Sequence, residues 1–162
     1  LHIVGELMKS FTLPRPIDAE AARLLSERFG QEGERLAASL EGALPAVALV
    51  ENAALSTALQ NDVSGGISFA QQVYGLGRPG DVLLCISTSG NAANAVAAAM
   101  VAHARSMRVA LLSGGTGGKL RPLCDVSVVV GVSETFMVQE LHLPVYHALC
   151  LMLEYAFFPP AQ

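Results

Sequence analysis

The feature that most constrains the fold lies mid-chain: Gly80-Asp81-Val82-Leu83-Leu84-Cys85-Ile86 runs straight into Ser87-Thr88-Ser89-Gly90-Asn91, and an alanine-rich segment follows. A short apolar run bounded by turn residues reads as a buried strand, and the alanines beyond it read as a helix. The rhythm recurs. β-Prone runs at 46–50, 82–86, 109–112 and 126–130 alternate with helical patterns near 56–60, 68–75, 91–106, 118–123 and 135–158. Strands alternating with helices imply an α/β fold, a three-layer doubly wound parallel sheet flanked by helices. Ahead of this region, Ile3, Val4, Leu7, Met8 and Phe11 have helical spacing, and Pro14 and Pro16 stop that helix. Asp18 is a candidate N-cap for a further helical stretch towards Leu44, with a break expected near Gly30.

A chain of 162 residues fits one domain, 1–162, with a single core. Hydrophobic residues make up 52% and charged residues 15%, which leaves apolar surface for partner subunits to cover, so an oligomer is expected. The net charge of −4 and the absence of any basic run argue against a direct nucleic-acid ligand. The apolar stretches are interrupted by Gly, Pro and polar residues, and no membrane span is expected. Cys85, Cys124 and Cys150 are odd in number and widely spaced, which suits reduced thiols and a cytoplasmic setting.

Chemistry is concentrated where the 82–86 strand ends. Ligands of open α/β sheets collect at the carboxyl ends of strands, and a helix starting there offers unpaired N–H groups and the positive end of its dipole. An anion is the natural guest, most simply a phosphate. Ser, Thr and Asn are also ordinary cap residues, but one cap suffices for a helix and this segment offers three successive hydroxyls at Ser87, Thr88 and Ser89. The loop Ser113-Gly114-Gly115-Thr116-Gly117-Gly118-Lys119 could form a second anion nest, although glycines at such turns chiefly permit positive φ.

The segments Gly77-Arg78-Pro79-Gly80-Asp81-Val82-Leu83-Leu84, Ile86-Ser87-Thr88-Ser89-Gly90-Asn91, Gly117-Gly118-Lys119-Leu120 and Gln139-Glu140-Leu141-His142 together resemble the sugar isomerase (SIS) domain family, and within it the phosphoheptose isomerases. Leu1-His2-Ile3-Val4-Gly5-Glu6-Leu7 looks like the end of that family's first helix, and 16–44 looks like a helical insertion. The resemblance implies a flavodoxin-like fold and aldose–ketose isomerisation of a sugar phosphate such as sedoheptulose 7-phosphate. It also implies zinc held by His2, Glu6, Gln139 and His147, with Glu6 as base at carbon and His147 as acid or base at oxygen. Ser87, Thr88, Ser89 and Asn91 would hold the phosphate, and Asp62 and Gln139 would contact the substrate. A homotetramer with sites at subunit interfaces is implied as well.

Spacing supports part of this set. His2 and Glu6 are four apart and share one helix face. Gln139 and His147 are eight apart, about 80° around an ideal helix, so spacing alone would sooner align Glu140 with His147, and Pro144 between them should disturb the helix. His142 and His147 also suit hydrogen-bonded core histidines, Glu6 suits a solvated helix charge, and His103 reads as surface or packing.

Three departures from the family pattern stand out. Ala92 replaces a usual phosphate-binding serine, and Thr135-Phe136-Met137-Val138 stands where an Asp and an Arg are common. The family's Gly-Asn-Gly-Gly-Ser loop belongs ahead of the first helix, before Leu1. Two other functions therefore compete: a noncatalytic SIS sensor or protein-binding regulator, such as the bacterial replication-initiation regulator of the family, and a lyase or deaminase-isomerase of amino-sugar phosphates.

Overall fold

The computed structural model describes residues 1–63 and 65–160. Two compact units share these residues: 1–48 with the C-terminal stretch from Val145, and 49–144.

The second unit contains α3 (Ala53–Asp62), α4 (Ser68–Leu76), β1 (Val82–Ser87), α5 (Ala93–Ala104), β2 (Arg108–Gly114), β3 (Val126–Val130) and the first part of α6 (Thr135–Phe157). The strands form a parallel sheet in the order β1-β2-β3, with Leu84 opposite Ala110 and Leu112 opposite Val128. Asp125 fixes the start of the β2–β3 pairing by accepting the Val109 amide at 2.8 Å and Arg108 Nη1 at 2.7 Å. These two bonds hold its carboxyl below the usual carboxylate range.

Burial alternates along β1 as a pleated strand requires. Leu83 and Cys85 join Val109, Leu111, Val73, Ala98, Ala99 and Ala102 in one core between the sheet and α4 and α5. Small side chains on α5 let it lie close to the strands. The opposite side of β1 stays open, with Val82 63% and Ile86 53% exposed. α/β architecture, a parallel sheet and flanking helices all match the expectation from the sequence, and β3 falls on the expected residues.

Two expected elements differ. The 46–50 run is not a strand. Residues 46–48 form no regular element, a 3-10 turn follows at Leu49–Glu51, and no neighbouring strand among the described residues pairs with them. A β-prone run becomes a strand only when another strand satisfies its backbone groups. The helix expected over 118–123 contracts to a single 3-10 turn, Arg121–Leu123, behind a glycine-rich loop.

The first unit holds α1 (His2–Met8), α2 (Ala19–Ser39) and the remainder of α6. Asp18 caps α2 by accepting the Ala21 amide at 2.8 Å, and Gly30, at φ 56° and ψ −135°, bends α2 sharply where the break is expected. The surface ion pairs of Arg23 with Glu20 and Glu27 are solvated and contribute little.

At 23 residues α6 is long and apolar enough to cross a membrane by length and composition alone, a test that the core helices of folded domains also pass. It nevertheless carries Glu140, His142, Pro144, His147 and Glu154, and Glu154 is fully buried in an ion pair with Arg15. A charge placed that way belongs to the interior of a folded domain.

Candidate active site

At the carboxyl ends of β1 and β2, a cleft of about 210 Å³ is lined by Thr88, Ser89, Gly114, Gly115, Thr116 and Ser133. Its two loops are locked backbone to backbone. Gly114 N–H donates to the Thr88 carbonyl at 3.0 Å, Leu120 N–H to the Gly90 carbonyl at 3.0 Å, and Ser113 Oγ to the Ser87 carbonyl at 2.6 Å. Gly90 has φ 67°, and a Cβ there would lie 1.9 Å from the Gly117 carbonyl oxygen. Only glycine permits both that conformation and that approach.

The α5 terminus beside these loops settles what the hydroxyls do not do. The N-cap residue Ala92 brings no capping side chain, and Asn94 alone reaches into the first turn, its Oδ1 accepting the Ala95 amide at 2.9 Å. Ser89 Oγ instead accepts the Asn91 amide at 3.2 Å, and the hydroxyls of Ser87 and Thr88 have no protein partner among the described residues. The ordinary-cap explanation of the Ser-Thr-Ser run therefore fails. What is left is an uncapped helix start with hydroxyls beside it, which is an anion-binding arrangement.

A second polar cluster occupies the first unit. His2 Nε2 lies 3.2 Å from Glu6 Oε1 across one turn of α1, and His2 Nδ1 lies 2.7 Å from Tyr146 Oη. The His147 ring meets the His2 ring edge-on at 5.1 Å between centroids, and Phe11 stacks near it at 5.8 Å. Burial first, then Cys150 and Glu6, push the Tyr146 phenol up from its ordinary range, which keeps its proton in place.

Beneath this cluster sits a buried clamp. Arg15 and Glu154 have side chains fully shielded from solvent and pair at 2.7 Å. Arg15 also donates to the carbonyls of Leu7 at 3.0 Å and Glu6 at 3.1 Å, which ties down the C-terminal end of α1. Glu154 accepts the amides of Phe11, Thr12 and Leu13 and the Thr12 hydroxyl. Burial works against its ionisation, but these donors and Arg15 outweigh burial and hold it down at about 2.

The sequence-derived site residues thus fall into three groups. His2, Glu6 and His147 gather in one cluster. Thr88 and Ser89 line the cleft, while Ser87 lies just below it at the strand end. Asn91 is a strut rather than a lining residue: its Oδ1 accepts the Lys119 amide at 3.1 Å and its Nδ2 donates to the Ser89 carbonyl at 3.1 Å. Asp62 ends α3, exposed, and does not line the cleft. Gln139 is exposed on the part of α6 that belongs to the second unit.

Sequence reasoning missed Ser133, Tyr146 and the Arg15–Glu154 clamp, while Thr116 lies in the loop it named as a possible second anion nest. A signal for the clamp was present, since Arg15 lies between two prolines and Glu154 interrupts an apolar helix.

The donor set bears directly on zinc. His2 Nε2 and Glu6 Oε1 stand about as far apart as two ligands of one tetrahedral zinc with bonds of ~2.0–2.2 Å. Those two side chains fit an ion. The full set is not assembled, because no group of three or more metal-capable His, Cys, Asp or Glu side chains occurs among the described residues.

A parallel α/β sheet with an uncapped helix and a hydroxyl-lined cleft at its strand ends defines the class of phosphate-binding α/β proteins. The SIS domain family model matches residues 21–114. The chain belongs to the SIS domain family. It is 39% identical over 130 residues to the phosphoheptose isomerase of Rhodospirillum rubrum, covering 76% of this chain and 69% of that protein. It is 44% identical over 138 residues to that of Thiobacillus denitrificans, covering 82% and 66%. Among solved structures, the phosphoheptose isomerase of Neisseria gonorrhoeae superimposes with a TM-score of 0.64 at 38% identity, covering 82% of this chain and 68% of that one. The Francisella tularensis phosphoheptose isomerase gives 0.67 at 31% identity, covering 85% and 72%. The chain spans 69% and 66% of the length of the Rhodospirillum rubrum and Thiobacillus denitrificans proteins and 60% of that of a Shewanella baltica relative.

Proposed function

We propose that this protein is an aldose–ketose isomerase of sugar phosphates, with a phosphoheptose of the sedoheptulose 7-phosphate type as substrate. The observation that carries the reading is the uncapped start of α5 beside the unpartnered hydroxyls of Ser87 and Thr88, a ready seat for a phosphate. Kinship with phosphoheptose isomerases supplies the reaction class.

The reaction moves one proton between adjacent carbons and one between their oxygens, with no atom gained or lost. A base takes the proton from the carbon next to the carbonyl, an enediol forms, and the proton returns to the neighbouring carbon. Glu6 suits the carbon base, since its side chain is only 13% exposed and Arg15 fixes its backbone carbonyl. His147 suits the oxygens, because an imidazole can both give and take a proton near neutral pH. Zinc at the His2–Glu6 pair, with His147 and Gln139 as the remaining ligands, is part of the proposal; when bound it would polarise the substrate oxygens. Asp62 and Asn91 keep proposed roles at the sugar and the phosphate.

The exposed apolar side chains of β1 support association into an oligomer, taken here as a homotetramer, and the free cysteines Cys85, Cys124 and Cys150 suit the cytoplasm. Burial, and then Cys124, push the Cys85 thiol up to about 11, so it is no nucleophile at neutral pH.

The test follows sedoheptulose 7-phosphate by NMR with the full-length protein, with and without added zinc, beside Glu6→Gln. Turnover that falls by roughly 10²–10⁴-fold in Glu6→Gln is expected. Tight phosphate-sugar binding without turnover would overturn the isomerase reading in favour of a noncatalytic sensor.

A further inference from the structure

Tyr146 has no part in the reading above, yet its hydroxyl makes the shortest polar contact of the histidine cluster, 2.7 Å to His2 Nδ1. The contact links positions 144 residues apart and joins α6 to the first turn of α1. His2 needs such a restraint. Its side chain is 55% exposed. An exposed imidazole there would otherwise sample several rotamers.

Donor and acceptor roles follow from the partners. A carboxylate accepts and cannot donate, so a neutral His2 held by Glu6 carries its proton on Nε2. Nδ1 is then a lone pair, and the Tyr146 hydroxyl must donate to it. If Nε2 is engaged by a metal instead, the proton moves to Nδ1 and the same hydroxyl accepts. A phenol serves both states without changing place. No carboxylate or backbone carbonyl could, because each only accepts.

We propose that Tyr146 is the positioning residue for His2: its hydroxyl holds Nδ1 in either tautomer and so keeps Nε2 directed at Glu6. The hydrogen bond stands on the geometry alone, while its catalytic meaning rests on the isomerase reading. Ring packing is the competing explanation, since Tyr146 lies edge-on to His2 at 5.3 Å and to His147 at 4.8 Å between centroids. Tyr146→Phe keeps the packing and removes the hydroxyl.

The experiment records the ring-nitrogen resonances of His2 by long-range ¹H–¹⁵N correlation in metal-free full-length protein, wild type against Tyr146→Phe. Circular dichroism melting serves as the control for folding. The expected result is one dominant tautomer in wild type with a bare Nδ1, and a mixed or reversed tautomer in Tyr146→Phe at an unchanged melting temperature. Zinc affinity, measured by chelator competition, should fall about 10–100-fold, as for the loss of other outer-shell partners. His2 nitrogen signals identical in the two proteins would overturn the proposal. Should Tyr146→Phe fail to fold, the wild-type Tyr146 hydroxyl decides: a slowly exchanging hydroxyl proton coupled to His2 Nδ1 upholds the proposal, and a freely exchanging, uncoupled one overturns it. Because none of these readouts uses turnover, an inactive protein with a Tyr146-dependent His2 tautomer would refute the isomerase reading and leave the hydrogen bond standing.

Discussion

The strand-end cradle and the histidine cluster differ in what holds their polar groups in place. In the cradle, backbone largely meets backbone: the loop after β2 donates amides to the Thr88 and Gly90 carbonyls, and Gly90 lies against Gly117 with no side chain between. In the cluster, side chains borne on α1 and α6 meet, and the end of α1 is fixed by one buried Arg15–Glu154 pair. Local chain geometry specifies the first kind of site, so it should tolerate loss of any one functional group. The second depends on residues 139 positions apart in sequence and should fail when one charge is removed.

The largest expected effect tests that dependence. Glu154→Ala strands the Arg15 guanidinium and four donors of residues 11–13, and we expect a loss of about 3–5 kcal/mol in urea unfolding, the usual consequence of breaking a buried ion pair. The same carboxylate makes the wild type acid-sensitive. Its folded pKa of about 2 lies below its ordinary value of 4.5, so the unfolded chain binds more protons as pH falls. Its contribution is fully present above about pH 4.5 and is lost as pH drops towards 2. Glu154→Ala should accordingly show a flatter acid limb in a plot of stability against pH; an acid limb as steep as that of wild type would move the sensitivity to other groups.

An intermediate effect probes the cradle. Gly90→Ala forces a Cβ into the Gly117 carbonyl at a positive φ, and the strain alone should cost roughly 1–3 kcal/mol in thermal unfolding. Phosphate-induced shifts of the α5 amides should disappear with it. If those shifts survive, the cradle is less rigid than its glycine contacts imply.

The smallest effect is reserved for a single hydroxyl. Thr88→Ala should weaken sugar-phosphate binding by roughly tenfold, near the 0.5–1.5 kcal/mol of one hydrogen bond, with melting unchanged. A loss as great as that of Gly90→Ala would make the cradle a side-chain site after all.

This contrast also governs what could be read from sequence. The β1-Ser87-Thr88-Ser89-Gly90-Asn91-α5 unit was legible because its logic is contiguous: apolar run, turn, helix former. Asp18 and Gly30 were legible for the same reason, since a cap and a positive φ are local properties. The 46–50 run was misread because strand pairing is not local, and a short apolar run says nothing of whether a neighbour exists. Tyr146 escaped notice because a tyrosine in an apolar helix resembles ordinary packing until the His2 ring is brought against it from the other end of the chain. Asn91 illustrates a finer limit. Its position was evident, but only the structure assigns its side chain to bridging the two loops.

The bare start of α5 has a consequence for anyone seeking a hardier version of this protein. Position 92 is an open invitation to stabilise the fold, since Asp in place of Ala at an N-cap is worth about 1 kcal/mol and a negative charge there also suits the helix dipole. A screen for heat resistance should enrich Ala92→Asp, and the same carboxylate would stand where an incoming phosphate must settle. Selection for endurance and selection for ligand would then pull one residue in opposite directions.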